Sequence, residues 1–158
     1  LLFGGGMALA KGFETTGLAA WLGLQMTSFS EWPLLITLVL LIAAVNFLTE
    51  ITSNLATTAM MLPVLAPLAL EIGVHPFGLM VAAAVAASCA FMLPVATPPN
   101  AVVFGAGYLR IPDMVSRGFA LNLLSILLIT IAVYILLPLL WEIDLQHFPE
   151  AFKELNQN

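Results

Sequence analysis

Charged side chains are scarce in this chain of 158 residues, with four basic and nine acidic residues, or 8% of the total. Soluble domains usually carry about 25% charged residues. With 61% hydrophobic residues and a mean hydropathy of +1.07, the chain is predicted to be an integral membrane protein. Four basic residues against a net charge of -5 also exclude the basic surface that nucleic-acid binding requires.

Cysteine and histidine are almost absent as well. The single cysteine, Cys89, cannot form an internal disulfide, and we interpret it as a packing residue. The two histidines, His75 and His147, are too few for a site of the kind that soft metals prefer. We expect no organic cofactor.

The end of the chain contains the clearest membrane span. Residues 119–141 carry no charge, and as a helix they would measure about 35 Å, enough to cross a bilayer. Arg110 and Arg117 bracket a predicted loop before this span, and an acidic tail, 142–158, follows it. The positive-inside tendency places the loop in the cytoplasm and the tail outside a plasma membrane or bacterial inner membrane.

A second apolar run is too long for one span. Residues 76–109 contain no charge, and a continuous helix of that length would measure about 50 Å, against a hydrocarbon core of about 30 Å. Pro94, Pro98 and Pro99 cannot donate hydrogen bonds to a helix. We therefore predict a discontinuous helix over 77–109, broken near its middle. Unwound backbone in lipid must be buried or line a cavity, so the break is a candidate ion or substrate site.

A polar patch, residues 49–54 (TEITSN), interrupts the apolar stretch 33–72. The arms on either side, 34–48 and 55–72, would be helices of about 23 and 27 Å, slightly short of a full crossing. Two interpretations remain open at this point. Either both arms cross the membrane and the patch is a surface loop, or they form a re-entrant hairpin whose polar tip lies at membrane depth.

If the patch and the break face each other, they combine many neutral oxygens. The hydroxyl and amide groups belong to Thr49, Thr52, Ser53, Asn54, Thr97 and Asn100. Such oxygens suit sodium. New helices are expected to start just after Asn54 and Pro99, and their N-termini favour an anion. No lysine or arginine is near in sequence, so anion binding is expected to depend on a bound cation.

Three segments resemble the C-terminal half of the divalent anion/sodium symporter family, which carries di- and tricarboxylates or sulfate. They are residues 46–54 (NFLTEITSN), 61–64 (MLPV) and 95–105 (VATPPNAVVFG). Residues 2–6 (LFGGG) and 17–19 (GLA) are similar to that family as well. The joint occurrence of the first and third segments makes the resemblance specific.

The resemblance implies an all-α membrane fold, in which two inverted repeats each contribute a re-entrant hairpin and a discontinuous helix. Residues 1–141 would form one transporter half, with the hairpin at 33–72, the broken helix at 77–109 and the last span at 119–141. The implied partners are the missing N-terminal half, the bilayer, a small dianionic substrate and a second copy in a homodimer. One half alone is not expected to transport.

The family's site residues carry over by position. The resemblance implies a sodium site at Thr49, Thr52, Asn54 and Ala96, and substrate contacts from Ser53, Asn54, Thr97 and Pro98. Leu55 departs from the pattern, because the family often has threonine there and one hydroxyl to the substrate is lost. The substrate therefore stays open among C4-dicarboxylates, citrate and sulfate, as does the choice between symport and exchange.

The sequence leaves two other functions open. The chain would be a non-transporting helical subunit if the prolines only kink helices and the polar patch is a surface loop. It would be an intramembrane hydrolase if Ser53 or Ser88 were a nucleophile, which requires a general base within reach, and His75 and His147 are the only histidines. A second, inverted copy of the two motifs upstream would favour the transporter.

Overall fold

The computed structural model describes residues 32–149 and, before them, only Gly12, Thr15 and Thr16. The predictions for the first apolar segment and for the end of the acidic tail, 150–158, lie outside the described residues. All regular secondary structure within the described part is helical, which confirms the all-α class.

The helices follow one another with short connections. They are α1 (Leu34–Thr49), α2 (Asn54–Ile72), α3 (Pro76–Ala86), α4 (Pro98–Gly105), α5 (Ile111–Ile131), a π-helical turn (Ala132–Leu136) and α6 (Leu137–Trp141). Among the described residues, two stretches, Asn54–Ile72 and Ile111–Trp141, are long and apolar enough to cross a membrane. Helices α1 and α3 are apolar but shorter.

The helices α1 and α2 correspond closely to the two predicted arms. Four residues, 50–53, join them, so the polar patch forms the connection and the two helix ends beside it. Ser53 caps α2, because its Oγ accepts a hydrogen bond of 3.1 Å from the backbone N–H of Ala56. Gly73 ends α2 in the left-handed conformation that glycine adopts most readily.

The break after α3 differs from the prediction. Non-helical backbone occupies residues 87–97, so the helix stops eight residues before Pro94 rather than at the prolines. The prolines instead begin the next helix, since Pro98 is its first residue and Thr97 is its N-cap. Proline suits the first turn of a helix because the N–H groups there have no helical acceptor.

The last helix also begins earlier than predicted. It starts at Ile111, eight residues before position 119, so most of the predicted loop between Arg110 and Arg117 is helical. The predicted loop was wrong because its end was placed where the charged residues end. The absence of charge indicates where a helix can contact lipid, and the helix itself can begin several residues earlier. With 31 residues the helix measures about 46 Å, and Asp113 and Arg117 lie in its first two turns.

A π-helical turn interrupts this long helix at Ala132–Leu136. Pro138 follows in α6 and removes the hydrogen bond to the carbonyl four residues earlier. A local widening of the helix accommodates the missing bond without ending the helix.

The hydrophobic core lies around α3, which packs against α1, α2 and α5. Its alanine-rich sequence lets neighbouring helices approach closely. The core combines small residues of α3, among them Ala82, Ala83 and Ala86, with larger side chains of α1 such as Leu38 and Ile42. This packing brings the end of α1 next to the non-helical segment 87–97.

Candidate ion and anion site

The carboxylate of Glu50 joins the α1–α2 connection to the break. Its two oxygens accept the backbone N–H groups of Phe91, Met92 and Leu93 over 2.7–3.1 Å, and the Nδ2 of Asn122 donates to Oε1 over 2.8 Å. The Glu50 residue is only 3% exposed. Hydrogen bonds to a charged acceptor are among the strongest in proteins, so this carboxylate fixes three consecutive residues of the break.

Polar side chains also donate hydrogen bonds to backbone carbonyl groups of the break, where the helix is interrupted. Thr49 Oγ1 lies 2.8 Å from the Ala87 carbonyl oxygen, and Asn46 Nδ2 donates to the Cys89 carbonyl over 2.8 Å. Two further carbonyls, of Ala90 and Leu93, accept the Nδ2 of Asn100 over 3.0 and 3.1 Å. Side chains therefore replace part of the helical hydrogen-bond ladder in the break.

The buried Thr49 hydroxyl stands between two acceptors. Its Oγ1 is 2.8 Å from the Oδ1 of Asn54 and 2.8 Å from the carbonyl oxygen of Ala87. One hydroxyl carries one proton, so it donates to only one of these oxygens at a time. The cluster thus gathers neutral hydroxyl, amide and carbonyl groups, and such oxygens are ligands that a hard cation takes.

Two capping hydroxyls keep a proton to donate. Ser53 Oγ accepts from Ala56, and Thr97 Oγ1 accepts the backbone N–H of Asn100 over 3.3 Å. Accepting a bond leaves each O–H available as a donor. Ser53 is exposed and Thr97 is half-buried, so both hydroxyls are accessible to a ligand.

The two helix N-termini differ in what they offer an anion. In α4, Pro98 and Pro99 have no N–H, and the N–H groups of Asn100 and Ala101 already donate to Thr97. The first turn of α4 therefore has no free N–H group for the anion that this N-terminus was expected to favour. In α2, the N–H groups of its first two residues donate to no acceptor within the described part of the chain.

Three further predicted site residues, Thr52, Ala96 and Pro98, lie at the connection and at the start of α4. Thr52 donates its hydroxyl to the Leu48 carbonyl and lies against the Thr57 hydroxyl. Ala96 is 6% exposed, just before α4, and Pro98 is exposed as the first residue of that helix. Ala96 also donates its backbone N–H to the Leu93 carbonyl over 3.2 Å.

The structure thus joins the two predicted halves of the site indirectly. Within residues 32–149, the hydrogen bonds from the connection reach Ala87 and residues 91–93 rather than Thr97. The start of α4 is tied to the same segment through Asn100 and the turn between Leu93 and Ala96. Both the α1–α2 connection and the start of α4 are therefore hydrogen-bonded to the break.

Sequence reasoning missed the role of Glu50, Asn46 and Asn122. A signal was present, because each is a charged or amide residue in an otherwise apolar stretch. Such residues inside membrane helices are costly unless they have partners. The partners themselves are distant in sequence: Glu50 and Asn122 are 72 residues apart.

Gly118 of α5 brings that helix close to the break. A Cβ atom at this position would lie 2.4 Å from the carbonyl oxygen of Phe91 and 2.6 Å from the Cα of Met92. Real Cβ atoms do not approach backbone so closely. Glycine is required there because two backbones touch.

Comparison with known proteins assigns a family. The sequence matches the sodium:sulfate symporter transmembrane region over residues 1–143, nearly the whole chain. The chain belongs to this family. The resemblance inferred from the motifs is thereby confirmed.

Two relatives are both sodium-dependent dicarboxylate transporters named SdcS. That of Staphylococcus saprophyticus is 57% identical over 145 residues, and that of Staphylococcus aureus strain MRSA252 is 52% identical over 145 residues. The alignments cover 91% and 92% of this chain. The chain spans about 28% of the length of these curated relatives.

The family and these relatives are transporters rather than enzymes, in agreement with the prediction that this chain is not an enzyme. The hydroxyl of Ser88 donates to the Ala84 carbonyl, and that of Ser53 caps α2. In the described part of the chain neither hydroxyl bonds to His75 or His147.

Proposed function

We propose that this chain is part of a longer membrane transporter that couples sodium entry to the movement of a small divalent anion, with a C4-dicarboxylate as the first candidate substrate. The family match and the named activity of the two SdcS relatives support the sodium coupling and the dicarboxylate. The structural observation that carries the proposal is the attachment of the α1–α2 connection to the break by the Glu50 carboxylate, which supports a shared site at these two segments.

The proposed sodium ligands are oxygens of Thr49, Thr52, Asn54 and Ala96. The close grouping of the Thr49 hydroxyl, the Asn54 amide and the Ala87 carbonyl supports this assignment, because sodium takes neutral oxygen ligands of these kinds. Ala87 adds a carbonyl oxygen to the same cluster, a contribution that the sequence did not suggest.

The proposed anion contacts are Ser53, Asn54, Thr97 and Pro98. The first N–H groups of α2 and the spare protons of the Ser53 and Thr97 hydroxyls are donors for carboxylate oxygens. At α4, Pro98 shapes the helix start without donating a hydrogen bond. Because no described cationic side chain takes part, the bound sodium supplies the positive charge.

The arrangement in the membrane is also part of the proposal. Helices α1 and α2 form a re-entrant hairpin with the connection at membrane depth, and α3 with α4 forms one discontinuous helix of an inverted repeat. An N-terminal half completes the site, two copies form a homodimer, and the C-terminus lies outside. The short length of α1 and the dense polar bonding at the connection support this arrangement.

The test is a flux measurement on the complete protein in proteoliposomes. Uptake of succinate, citrate and sulfate is compared in sodium and in choline buffers. We expect succinate uptake that depends on sodium and that citrate or sulfate inhibits less strongly than unlabelled succinate. Uptake that is unchanged in choline overturns sodium coupling, and the absence of uptake for all three anions overturns the function.

A further inference from the structure

We propose a second cation site inside the helix bundle, formed by the Oδ1 atoms of Asn46 and Asn122 beside the Glu50 carboxylate and taking a monovalent cation. It is distinct from the sodium site proposed at Thr49 and Asn54. The inference goes beyond the proposed function, on which it depends only for its transport measurement.

The side-chain oxygens of Asn46 and Asn122 are buried without a hydrogen-bond partner in the described structure. Both residues are 0% exposed. Almost all buried polar atoms in proteins have a partner, so two orphaned oxygens at one interface indicate a ligand that the protein itself does not supply.

The amide orientations follow from the neighbours. Asn46 Nδ2 faces two acceptors: the Cys89 carbonyl, and the Ser125 hydroxyl, at 3.2 Å, whose proton goes to the Asn122 carbonyl. The Nδ2 of Asn122 faces the Glu50 carboxylate. Reversing either amide would place oxygen against oxygen, so the Oδ1 atoms are the groups left over.

Asn46 and Asn122 belong to one polar cluster at the α1–α5 interface. Asn46 and Glu50 are four residues apart on one face of α1, and Asn122 and Ser125 are three apart on α5. Asn46 pairs with Ser125, and Glu50 pairs with Asn122. The two asparagines are therefore diagonal neighbours around the carboxylate.

The charge of Glu50 indicates a cation rather than a neutral ligand. No lysine, arginine or histidine of the described ranges forms an ion pair with it. Its hydrogen bonds satisfy the carboxylate oxygens but leave a net negative charge in the interior of a membrane protein, where charge is costly unless it is paired. A monovalent cation neutralises this charge and uses both orphaned oxygens as ligands. Such oxygen ligands suit sodium.

The first test needs no variant. Crystals of the complete protein are soaked in thallium(I) acetate, and anomalous density is sought between Asn46 and Asn122. A thallium peak within ligand distance of both Oδ1 atoms supports the site. Density for a water molecule without an anomalous signal, or an empty space, overturns it.

The second test measures the number of sodium ions per succinate from the reversal potential in proteoliposomes. We expect Asn46→Leu to lower this number by one, or to raise the half-saturating sodium concentration about tenfold, on the order of the loss of one polar ligand. Thr130→Val is the matched control, because Thr130 is also buried, on α5, but its hydroxyl donates to the Ile126 carbonyl of its own helix.

Ser125→Ala distinguishes the loss of a cation ligand from a mere disturbance of the hydrogen bonds around Asn46. It removes a partner of the Asn46 Nδ2 but leaves both orphaned oxygens in place. We expect it to keep the sodium number of the unmodified protein. An unchanged sodium number and affinity in Asn46→Leu overturns the second site while leaving sodium-coupled transport intact. If uptake by the unmodified protein does not depend on sodium, that result overturns the proposed function rather than the second site.

Discussion

The Nδ2 of Asn122 donates a hydrogen bond of 2.8 Å to the Oε1 of Glu50, across 72 residues of sequence. This bond links the longest helix of the described chain to the connection between α1 and α2. The same carboxylate holds the N–H groups of residues 91–93. Three separate segments therefore meet at one buried acid, and the first prediction concerns its charge.

Replacing Glu50 by glutamine should destabilise the complete protein and impair sodium-dependent uptake. The amide keeps the shape, but it has one acceptor oxygen in place of two, and its NH₂ group would face backbone donors. Loss of a charged acceptor costs about 1.5–3 kcal/mol per bond. Thermal unfolding in detergent measures the loss. Glu71→Gln, at an exposed position of α2, is the control and should unfold as the unmodified protein does.

Replacing Gly118 by alanine should separate α5 from the break. The added Cβ would lie 2.4 Å from the Phe91 carbonyl oxygen, and that backbone cannot move without loss of the bonds to Glu50. Overpacking of this kind costs about 1–3 kcal/mol. Gly105→Ala is the matched control, because nothing lies within 4 Å of the Cβ built there. Equal melting temperatures for the two variants would contradict the close approach.

Replacing Thr49 by valine should weaken sodium binding. Valine fills the same volume but removes the oxygen that lies 2.8 Å from both the Asn54 Oδ1 and the Ala87 carbonyl oxygen. A loss of about 1–3 kcal/mol corresponds to an increase of roughly 5–150-fold in the half-saturating sodium concentration. Anion affinity should fall with it, since coupling between the two ligands is reciprocal. Anion binding that is already indifferent to sodium in the unmodified protein would remove the basis of this prediction.

Replacing Thr97 by valine should reduce anion affinity more than sodium affinity. The hydroxyl accepts the Asn100 N–H and has a proton left for a carboxylate oxygen, whereas Ala96 offers sodium only its backbone. We expect the half-saturating succinate concentration to rise about tenfold, the equivalent of one hydrogen bond to a charged group. A rise in the sodium requirement with unchanged succinate affinity would assign Thr97 to the cation instead.

His75 should make stability depend on pH. Its Nδ1 accepts the Phe77 N–H and caps α3, so the folded state needs the neutral ring, and burial lowers the pKa of His75, with nearby Asp144 opposing that shift. The unfolded state therefore binds more protons. The stabilisation is complete above the unfolded-state pKa of about 6.5, declines as the pH falls below it, and is lost once the pH has passed through the lowered pKa of the folded state.

The measurement is the melting temperature of the complete protein between pH 8 and pH 5. In this range Asp144 stays ionised, because the backbone N–H of Gln146 and the His147 ring hold the pKa of its carboxyl below the usual range. His75→Asn should keep the cap and flatten the pH profile. The control is His147→Gln, whose side chain is exposed beside Asp144. A profile unaffected by His75→Asn would rule out this residue as the origin.

The membrane class, the family, the two arms around residues 49–54 and the starts of α2 and α4 follow from the sequence alone. These features depend on local chemistry. Apolar length decides contact with lipid, Ser53 and Thr97 cap the residues that follow them, and proline is tolerated in a first turn. The observed helix starts, Asn54 and Pro98, lie within two residues of those predicted.

Only the tertiary structure decided where α3 ends. Residues 87–93 contain no proline or glycine, and their local preferences allow the helix to continue. Asn46, Thr49 and Glu50 of the neighbouring segment instead bind the carbonyl and N–H groups that a longer helix would use. Stronger charged acceptors and the close approach of Gly118 outweigh a weak helical preference. Partners so far apart in sequence leave no local signal, so the shape of the site follows from how the helices pack.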